Sequence, residues 1–300
     1  MKLEMITHGA PWSARRATMV ILVLLAARAP VWAWGERAHE IINAAAVENL
    51  PEPLRAFFRA RQAFLVEHAI DPDRLAKENA EERPHHYTEV EAYDSYPFNV
   101  FRKQFVEERL GPTAAQLQHG DSLWQIERFT LKLSEDLRRR RWDDAERDAV
   151  FTAHYAADLT QPLHAVMNYN GQLTNQTGIH SRFESDLVNA LGNRWALAAR
   201  PVVIETDLRA RIFQEYLATY QCQNLVFAAD RIALAGWNYS DPRYFADFEK
   251  LAGLLAKRRI EAGVCFVSSL WYTAWVRAGK PIMPSRSPGS RERLAIPALP

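Results

Sequence analysis

The chain has 300 residues, of which 48% are hydrophobic and 24% charged, a composition typical of a globular protein with one large domain or two small ones. The formal net charge of +1 excludes a bulk electrostatic attraction to nucleic acid or to an anionic membrane. Two cysteines, Cys222 and Cys265, are too few for a disulfide framework or a thiolate metal site. One disulfide and two separate thiols are both compatible with the sequence.

The first 33 residues have the pattern of a secretory signal peptide. A pair of arginines precedes the apolar run Met19–Ala27, which is too short to span a bilayer. Two small residues, Val31 and Ala33, then place a cleavage point before Trp34. Removal of residues 1–33 leaves 33 basic and 35 acidic residues of the original 37 and 36, a net charge of −2. We therefore expect a secreted or periplasmic protein that begins at Trp34 and has no stable membrane anchor.

Helical periodicity dominates the mature chain, and strand-like alternation is nearly absent. The predicted helices are Glu36–Asn49, Pro51–Glu67, Ser122–Arg139, Asp143–Leu159, Ser181–Leu191, Asp207–Ala235 and Asp241–Ala278. Turn-forming residues predict loops over 71–99 and 168–178. Beyond residue 278 the chain becomes rich in proline, which predicts a disordered tail over 279–300. The sequence therefore predicts one all-α domain over residues 34–278.

The strongest chemical motif is His154-Tyr-Ala-Ala-Asp158-Leu-Thr-Gln-Pro162-Leu-His164. On a helix His154 and Asp158 are four residues apart, so both side chains project from one face and can reach one ion. Pro162 is expected to end or bend that helix, which brings His164 towards the same region from a loop.

A second motif, His180-Ser-Arg-Phe-Glu184, repeats the spacing of a histidine and a carboxylate. A single pair of this kind is usually a surface hydrogen bond. Two pairs that flank a further histidine and a polar loop indicate a metal site instead. Imidazole and carboxylate ligands without thiolate suit zinc, and catalytic zinc sites keep a position open for water.

Together these motifs resemble the trinuclear zinc phospholipases C and the single-strand-specific nucleases related to nuclease P-one. The resemblance covers most of the mature chain through dispersed motifs. In that superfamily the mature N-terminus is a tryptophan whose amino and carbonyl groups bind zinc, and a histidine follows shortly after. The segment Trp34-Gly-Glu-Arg-Ala-His39 matches this pattern directly after the predicted cleavage point. The resemblance therefore implies the same all-α fold, a single multi-helix domain of the zinc phospholipase C and nuclease P-one type.

The superfamily also has an aspartate followed about fifteen residues later by a histidine beside an aromatic residue. Asp71 and His86 fit this spacing, with Tyr87 as the aromatic neighbour. Asp73 and His85 are competing choices, and the spacing favours Asp71.

The resemblance implies three zinc ions. The ligand sets would be Asp71, His86, His154 and one Asp158 oxygen; Trp34, His39 and the other Asp158 oxygen; and His164, His180 and Glu184. Such a centre suits phosphodiester hydrolysis, because two close cations can lower the pKa of a bridging water and a third can neutralise charge on the phosphate. By analogy, Asp71 would orient that water or take its proton, although pure ligation is the alternative role.

The substrate class is less strongly indicated. Glu184 in the third set and Asn168 after His164 favour phospholipase C activity, and the superfamily nucleases tend to have an aspartate at the position of Glu184. A single-strand-specific endonuclease is the alternative, in which Tyr87 would stack on a base, whereas the net charge of −2 gives no general attraction to a polyanion. A third interpretation is a zinc-binding protein without catalysis. We expect Tyr87 and Asn168 to contact a lipid or small-molecule phosphodiester, or single-stranded nucleic acid.

Overall fold

The computed structural model describes residues 34–284, and it builds them from helices connected by turns, with no strand in this range. The α-helices are α1 Glu36–Asn49, α2 Leu54–Arg59, α3 Gln62–Glu67, α4 Asp71–Glu78, α5 Asn99–Arg102, α6 Ala114–Leu117, α7 Ser122–Arg139, α8 Trp142–Asp158, α9 Ile179–Ser181, α10 Leu187–Leu191, α11 Leu208–Tyr220, α12 Gln223–Leu234 and α13 Pro242–Arg277. Short 3₁₀ helices span Arg83–His86, Val90–Ala92, Pro162–Ala165 and Gly192–Arg194, and π-helical turns span Lys103–Glu107 and Arg182–Asp186. The predicted all-α fold class is confirmed.

The predicted signal peptide over 1–33 and the part of the predicted tail from 285 to 300 lie outside the described residues. None of the helices in the described range is both long enough and apolar enough to cross a membrane. Cys222 and Cys265 are free thiols in this structure.

The long helix α13 forms the centre of the domain and packs against α1, α7, α8 and α12. Its Trp271 is fully buried and stacks on Phe58 of α2 at 4.8 Å between ring centroids. Gly263 allows a close approach of α13 to α1, because a Cβ there would lie 3.0 Å from Ile42 and 3.2 Å from the Thr160 hydroxyl. This contact fixes the turn after α8 against the start of the described chain, since Thr160 also accepts from the Trp34 indole.

Three predicted segments differ from the structure. The helix predicted over 51–67 is two helices, because the backbone turns at Arg61 and sends its side chain into the core to pair with Glu146. The helix predicted over 207–235 is likewise two helices, α11 and α12. The loop predicted over 71–99 contains α4, which begins with Asp71 and Pro72, residue types that suit a first helical turn.

The predicted bend at Pro162 is confirmed. Helix α8 ends at Asp158, and Pro162 opens the 3₁₀ helix Pro162–Ala165 that carries His164. Gln161 caps this 3₁₀ helix by accepting a hydrogen bond from the backbone nitrogen of Leu163. The end of α8 and the next histidine therefore face the same region of the domain.

Candidate metal centre

Helix α8 supplies the two side chains at the middle of the candidate centre. His154 and Asp158 are both fully buried and lie on the same face of the helix, with Nε2 of His154 3.3 Å from Oδ2 of Asp158. The predicted pairing at four-residue spacing is therefore present in the fold. An imidazole and a carboxylate buried this deeply require further polar partners.

The first group of candidate ligands surrounds Oδ2 of Asp158. His86 Nδ1 lies 3.1 Å from that oxygen and 3.0 Å from His154 Nε2. Asp73 on α4 completes the group, with its Oδ1 3.5 Å from His86 Nδ1 and 3.6 Å from His154 Nε2. Four donor atoms from α4, α8 and a 3₁₀ helix thus converge on one point.

The second group surrounds the other oxygen of Asp158. His39 Nε2 on α1 lies 3.2 Å from Oδ1, and the His39 ring stacks on His154 at 4.1 Å. The backbone nitrogen of Trp34 also lies 3.2 Å from Oδ1. This nitrogen is the atom that the predicted cleavage after Ala33 would convert into the terminal amine, and Trp34 lies beside the other candidate ligands.

The third group consists of His164, His180 and Glu184. The Nε2 atoms of the two histidines are 3.2 Å apart, and Glu184 Oε2 lies 2.8 Å from His180 Nε2 and 3.6 Å from His164 Nε2. Glu184 lies in the π-helical turn Arg182–Asp186, and π-turns within helices are frequent at functional sites.

The hydrogen bonds of the histidines test whether a cation fits these groups. Three of the histidines direct Nδ1 at a backbone carbonyl oxygen. The distances are 2.8 Å from His154 to Ala69, 2.9 Å from His164 to His86 and 3.1 Å from His180 to Tyr169. A carbonyl oxygen only accepts, so Nδ1 carries the proton and Nε2 of each neutral ring carries a lone pair. The lone pairs of His164 and His180 therefore face each other at 3.2 Å, an arrangement that a cation between them stabilises.

The ring nitrogens of His39 likewise indicate that a cation fits the second group. The ring of His39 is fully buried and makes no hydrogen bond of regular geometry within residues 34–284, where Nε2 has the 3.2 Å contact with Asp158 Oδ1 and Nδ1 has no hydrogen-bond partner. One ligand atom from each residue lies within 4.8 Å of the others in three buried sets, which are His39, His154 and Asp158; Asp73, His86 and His154; and His164, His180 and Glu184. Imidazole and carboxylate donors without thiolate are a set that zinc accepts. The donor chemistry thus fits three zinc ions.

Electrostatics favour positive charge at the centre. Burial opposes protonation of His154, yet Asp158 and Asp73 raise its pKa well above the ordinary value. Burial likewise opposes protonation of His86, whose pKa is nevertheless raised to about 9 by the hydrogen bond to Asp158 and by the nearby Glu82 carboxylate. The pKa of Asp158 is held well below its ordinary range, against the effect of burial, chiefly by His154. Burial lowers the pKa of His39.

Asp71 does not belong to any of the three groups, which corrects the preference for Asp71 over Asp73. The Asp71 carboxylate instead pairs with His68 Nδ1 at 2.6 Å and with Arg74 at 2.7 Å. Residues two positions apart on a helix point to nearly opposite sides, so α4 can present only one of the two aspartates to α8. Because its carboxylate pairs with His68 and Arg74 outside the three groups, Asp71 does not have the position expected of a catalytic carboxylate.

Tyr87 and Asn168, the predicted substrate residues, lie next to the first and third groups in the chain. Tyr87 is partly exposed, and its carbonyl accepts from the backbone nitrogen of Ser122. Asn168 is also partly exposed, but its amide stabilises its own loop through Thr174 and the backbone nitrogen of Leu173. The loop over 168–178 is present as predicted.

Two buried polar residues at the centre were missed by the sequence analysis. Gln161 Nε2 donates to Glu184 Oε2 at 3.1 Å and orients that carboxylate. Glu82 lies four residues before His86, and its Oε1 is 3.7 Å from His86 Nε2. The Glu82–His86 spacing is the pattern that identified the other two pairs, so the signal was present in the sequence.

Comparison with known proteins adds no family assignment. A scan against protein-family models finds no match for the chain, and a search of curated proteins finds no significant match.

Proposed function

We propose that this chain is a secreted, zinc-dependent phosphodiester hydrolase of the phospholipase C type. The observation that carries the proposal is the arrangement of three His and carboxylate groups in which Asp158 belongs to two. One set would comprise Asp73, His86, His154 and Asp158, another Trp34, His39 and Asp158, and the last His164, His180 and Glu184. Structural zinc sites are usually closed and rich in thiolate, so this donor set favours catalysis over a purely structural role.

Zinc bound at such a centre supplies a water molecule of lowered pKa and neutralises charge on a phosphate. The side chains of the protein would position the ligands around the zinc ions. The Asp158 side chain is fully buried and holds His39 at Oδ1 and both His86 and His154 at Oδ2. Gln161 keeps Glu184 directed at the third group through its 3.1 Å hydrogen bond.

Asp73 is the carboxylate that suits proton transfer. Its side chain is 12% exposed, whereas the Asp158 side chain is not exposed at all. A general base must reach the attacking water, and a partly exposed carboxylate at the edge of the group permits this. We therefore transfer the proposed base role from Asp71 to Asp73.

Surface chemistry next to the third group supports a lipid substrate. The loop over 168–178 packs on His180, because the carbonyl of Tyr169 accepts from its ring. Met167 directly before this loop is 39% exposed, and Leu173 within it is 72% exposed. Apolar side chains at this place suit contact with acyl chains, whereas nucleic acid is bound mainly by cationic groups.

The proposal is tested by metal analysis of the exported protein, followed by parallel assays on phosphatidylcholine, single-stranded DNA and a chromogenic phosphodiester. We expect three equivalents of zinc and hydrolysis of phosphatidylcholine and the chromogenic compound. Cleavage of the DNA in place of the lipid would identify a nuclease. Zinc without turnover of any phosphodiester would identify a binding protein, and absence of zinc would refute the proposal.

A further inference from the structure

Glu82 is a buried carboxylate whose role is not explained by the three ligand groups. Its side chain is fully buried, in the 3₁₀ and turn region between α4 and α5. Oε1 accepts a short hydrogen bond from the Tyr155 hydroxyl, and Oε2 has no hydrogen-bond partner among the described residues. A buried carboxylate with so few partners is costly, which indicates that a further partner is needed.

The imidazole of His86 is a cationic partner that lies close to Glu82. His86 Nε2 lies 3.7 Å from Glu82 Oε1, too far for a formed hydrogen bond, and Nε2 has no other partner in the described part of the chain. The opposite nitrogen, Nδ1, faces Asp158, His154 and the first ligand group. The His86 ring therefore lies between Glu82 on one side and the candidate metal centre on the other.

We propose that Glu82 is a positioning residue that acts through His86. Its negative charge, 3.7 Å from Nε2, favours the tautomer with the proton on that nitrogen, which leaves the lone pair of Nδ1 directed at the first group. Glu82 also provides the negative charge that compensates the ring when a cation is bound at Nδ1. Carboxylates that accept from the second nitrogen of a metal-binding histidine orient it and increase its basicity. This inference rests on the proposed function.

The arrangement has a consequence for the metal-free protein. Without a cation, the contacts that compensate the buried Glu82 charge within the described residues are the Tyr155 hydroxyl and a histidine beyond hydrogen-bond distance. Neutralising Glu82 is therefore expected to leave the metal-free protein at least as stable as before, while weakening zinc binding. A purely structural role predicts the opposite, since loss of a needed partner would lower stability with and without zinc alike.

The test compares Glu82→Gln with Glu146→Gln. Both changes remove a buried carboxylate charge, but Glu146 pairs with Arg61 and belongs to none of the three ligand groups. Zinc affinity is measured by competition with a chelator, and thermal unfolding is recorded with and without zinc. We expect Glu82→Gln to bind one equivalent of zinc about 10- to 100-fold more weakly and to show a smaller zinc-induced rise in Tm. Glu146→Gln is expected to lower Tm equally in both states and to keep the zinc affinity.

A second variant separates charge from packing. Glu82→Asp keeps the charge on a shorter side chain, so its zinc affinity is expected to lie between those of the parent and Glu82→Gln. The inference is overturned if Glu82→Gln binds zinc like the parent, if its metal-free form loses cooperative unfolding, or if Glu82→Asp binds more weakly than Glu82→Gln. Absence of zinc from the parent protein would instead refute the proposed function, so the two failures are distinguishable.

Discussion

Asp158→Asn is the most informative single substitution, because one side chain faces two ligand groups. Oδ1 lies 3.2 Å from His39 Nε2 and 3.2 Å from the Trp34 nitrogen, and Oδ2 lies 3.1 Å from His86 Nδ1 and 3.3 Å from His154 Nε2. Asparagine has nearly the same volume, so packing in the buried site is preserved. It removes the negative charge and replaces one acceptor oxygen with a donor. We therefore expect the loss of more than one equivalent of zinc.

The size of the effect follows from linkage between binding and folding. Free zinc at 100 times its dissociation constant stabilises a folded protein by about 2.7 kcal/mol per site. Three such sites contribute about 8 kcal/mol, of which Asp158→Asn is expected to remove about 5 kcal/mol by weakening two sites. Glu184→Gln changes a carboxylate of one group only and is expected to remove about 3 kcal/mol.

The assay is metal content after dialysis, combined with chemical denaturation at fixed free zinc for the parent and both variants. Far-UV circular dichroism of the metal-free proteins shows whether the helices are retained. Equal losses of zinc and of stability in Asp158→Asn and Glu184→Gln would refute the shared-carboxylate arrangement. Unchanged zinc content in both variants would refute the ligand assignment itself.

Four further predictions concern the N-terminus, packing, pH and substrate choice. An extra methionine before Trp34 is expected to cost about one equivalent of zinc, because an amide nitrogen is a poor ligand; unchanged metal content would exclude the amine as a ligand. Gly35→Ala places a Cβ 2.5 Å from the Ser185 hydroxyl and is expected to lower the free energy of unfolding, measured with urea, by about 1–3 kcal/mol. The same change is expected to weaken zinc binding at the group that contains Trp34 and His39. Burial, together with a hydrogen bond to Asp136, raises the pKa of Asp148 from 3.8 to about 7. Between these two pH values the folded state binds a proton that the unfolded state has lost, so the free energy of unfolding falls as the pH rises from 3.8 to about 7. Asp148→Asn is expected to remove this fall, about 4 kcal/mol, and an unchanged pH profile of denaturation would contradict the assignment. Tyr87→Ala is expected to spare a chromogenic phosphodiester and depress phosphatidylcholine hydrolysis; a uniform loss on both substrates would mean that Tyr87 supports the metal centre.

Local sequence patterns were sufficient to predict the helical class and the donor pairs within single elements. Helices α1 and α7 begin and end at the predicted residues, because an apolar stripe at helical spacing determines both the element and its buried face. The His154–Asp158 and His180–Glu184 pairs follow from the same periodicity, since side chains four residues apart share a face. Helix α8 ends four residues before Pro162, as predicted, because proline has no N–H with which to continue the helical hydrogen bonds.

The tertiary structure decided which residues of different elements meet. Asp71 and Asp73 have nearly the same spacing from His86, and both are acidic residues in the first turn of α4. The choice depends on how α4 rotates about its own axis, which is set by burial of Pro72 and Leu75 against the core. No pattern within α4 specifies that rotation relative to α8.

Glu82 was overlooked for a related reason. Its spacing from His86 was visible in the sequence, but it lies in a segment interpreted as a loop, where four-residue spacing does not imply a common face. Its importance comes from complete burial and from a hydrogen bond to Tyr155 on a distant helix. Burial depends on packing of the whole domain around α8 and α13, so only the folded structure reveals that this carboxylate faces a histidine of the candidate metal centre.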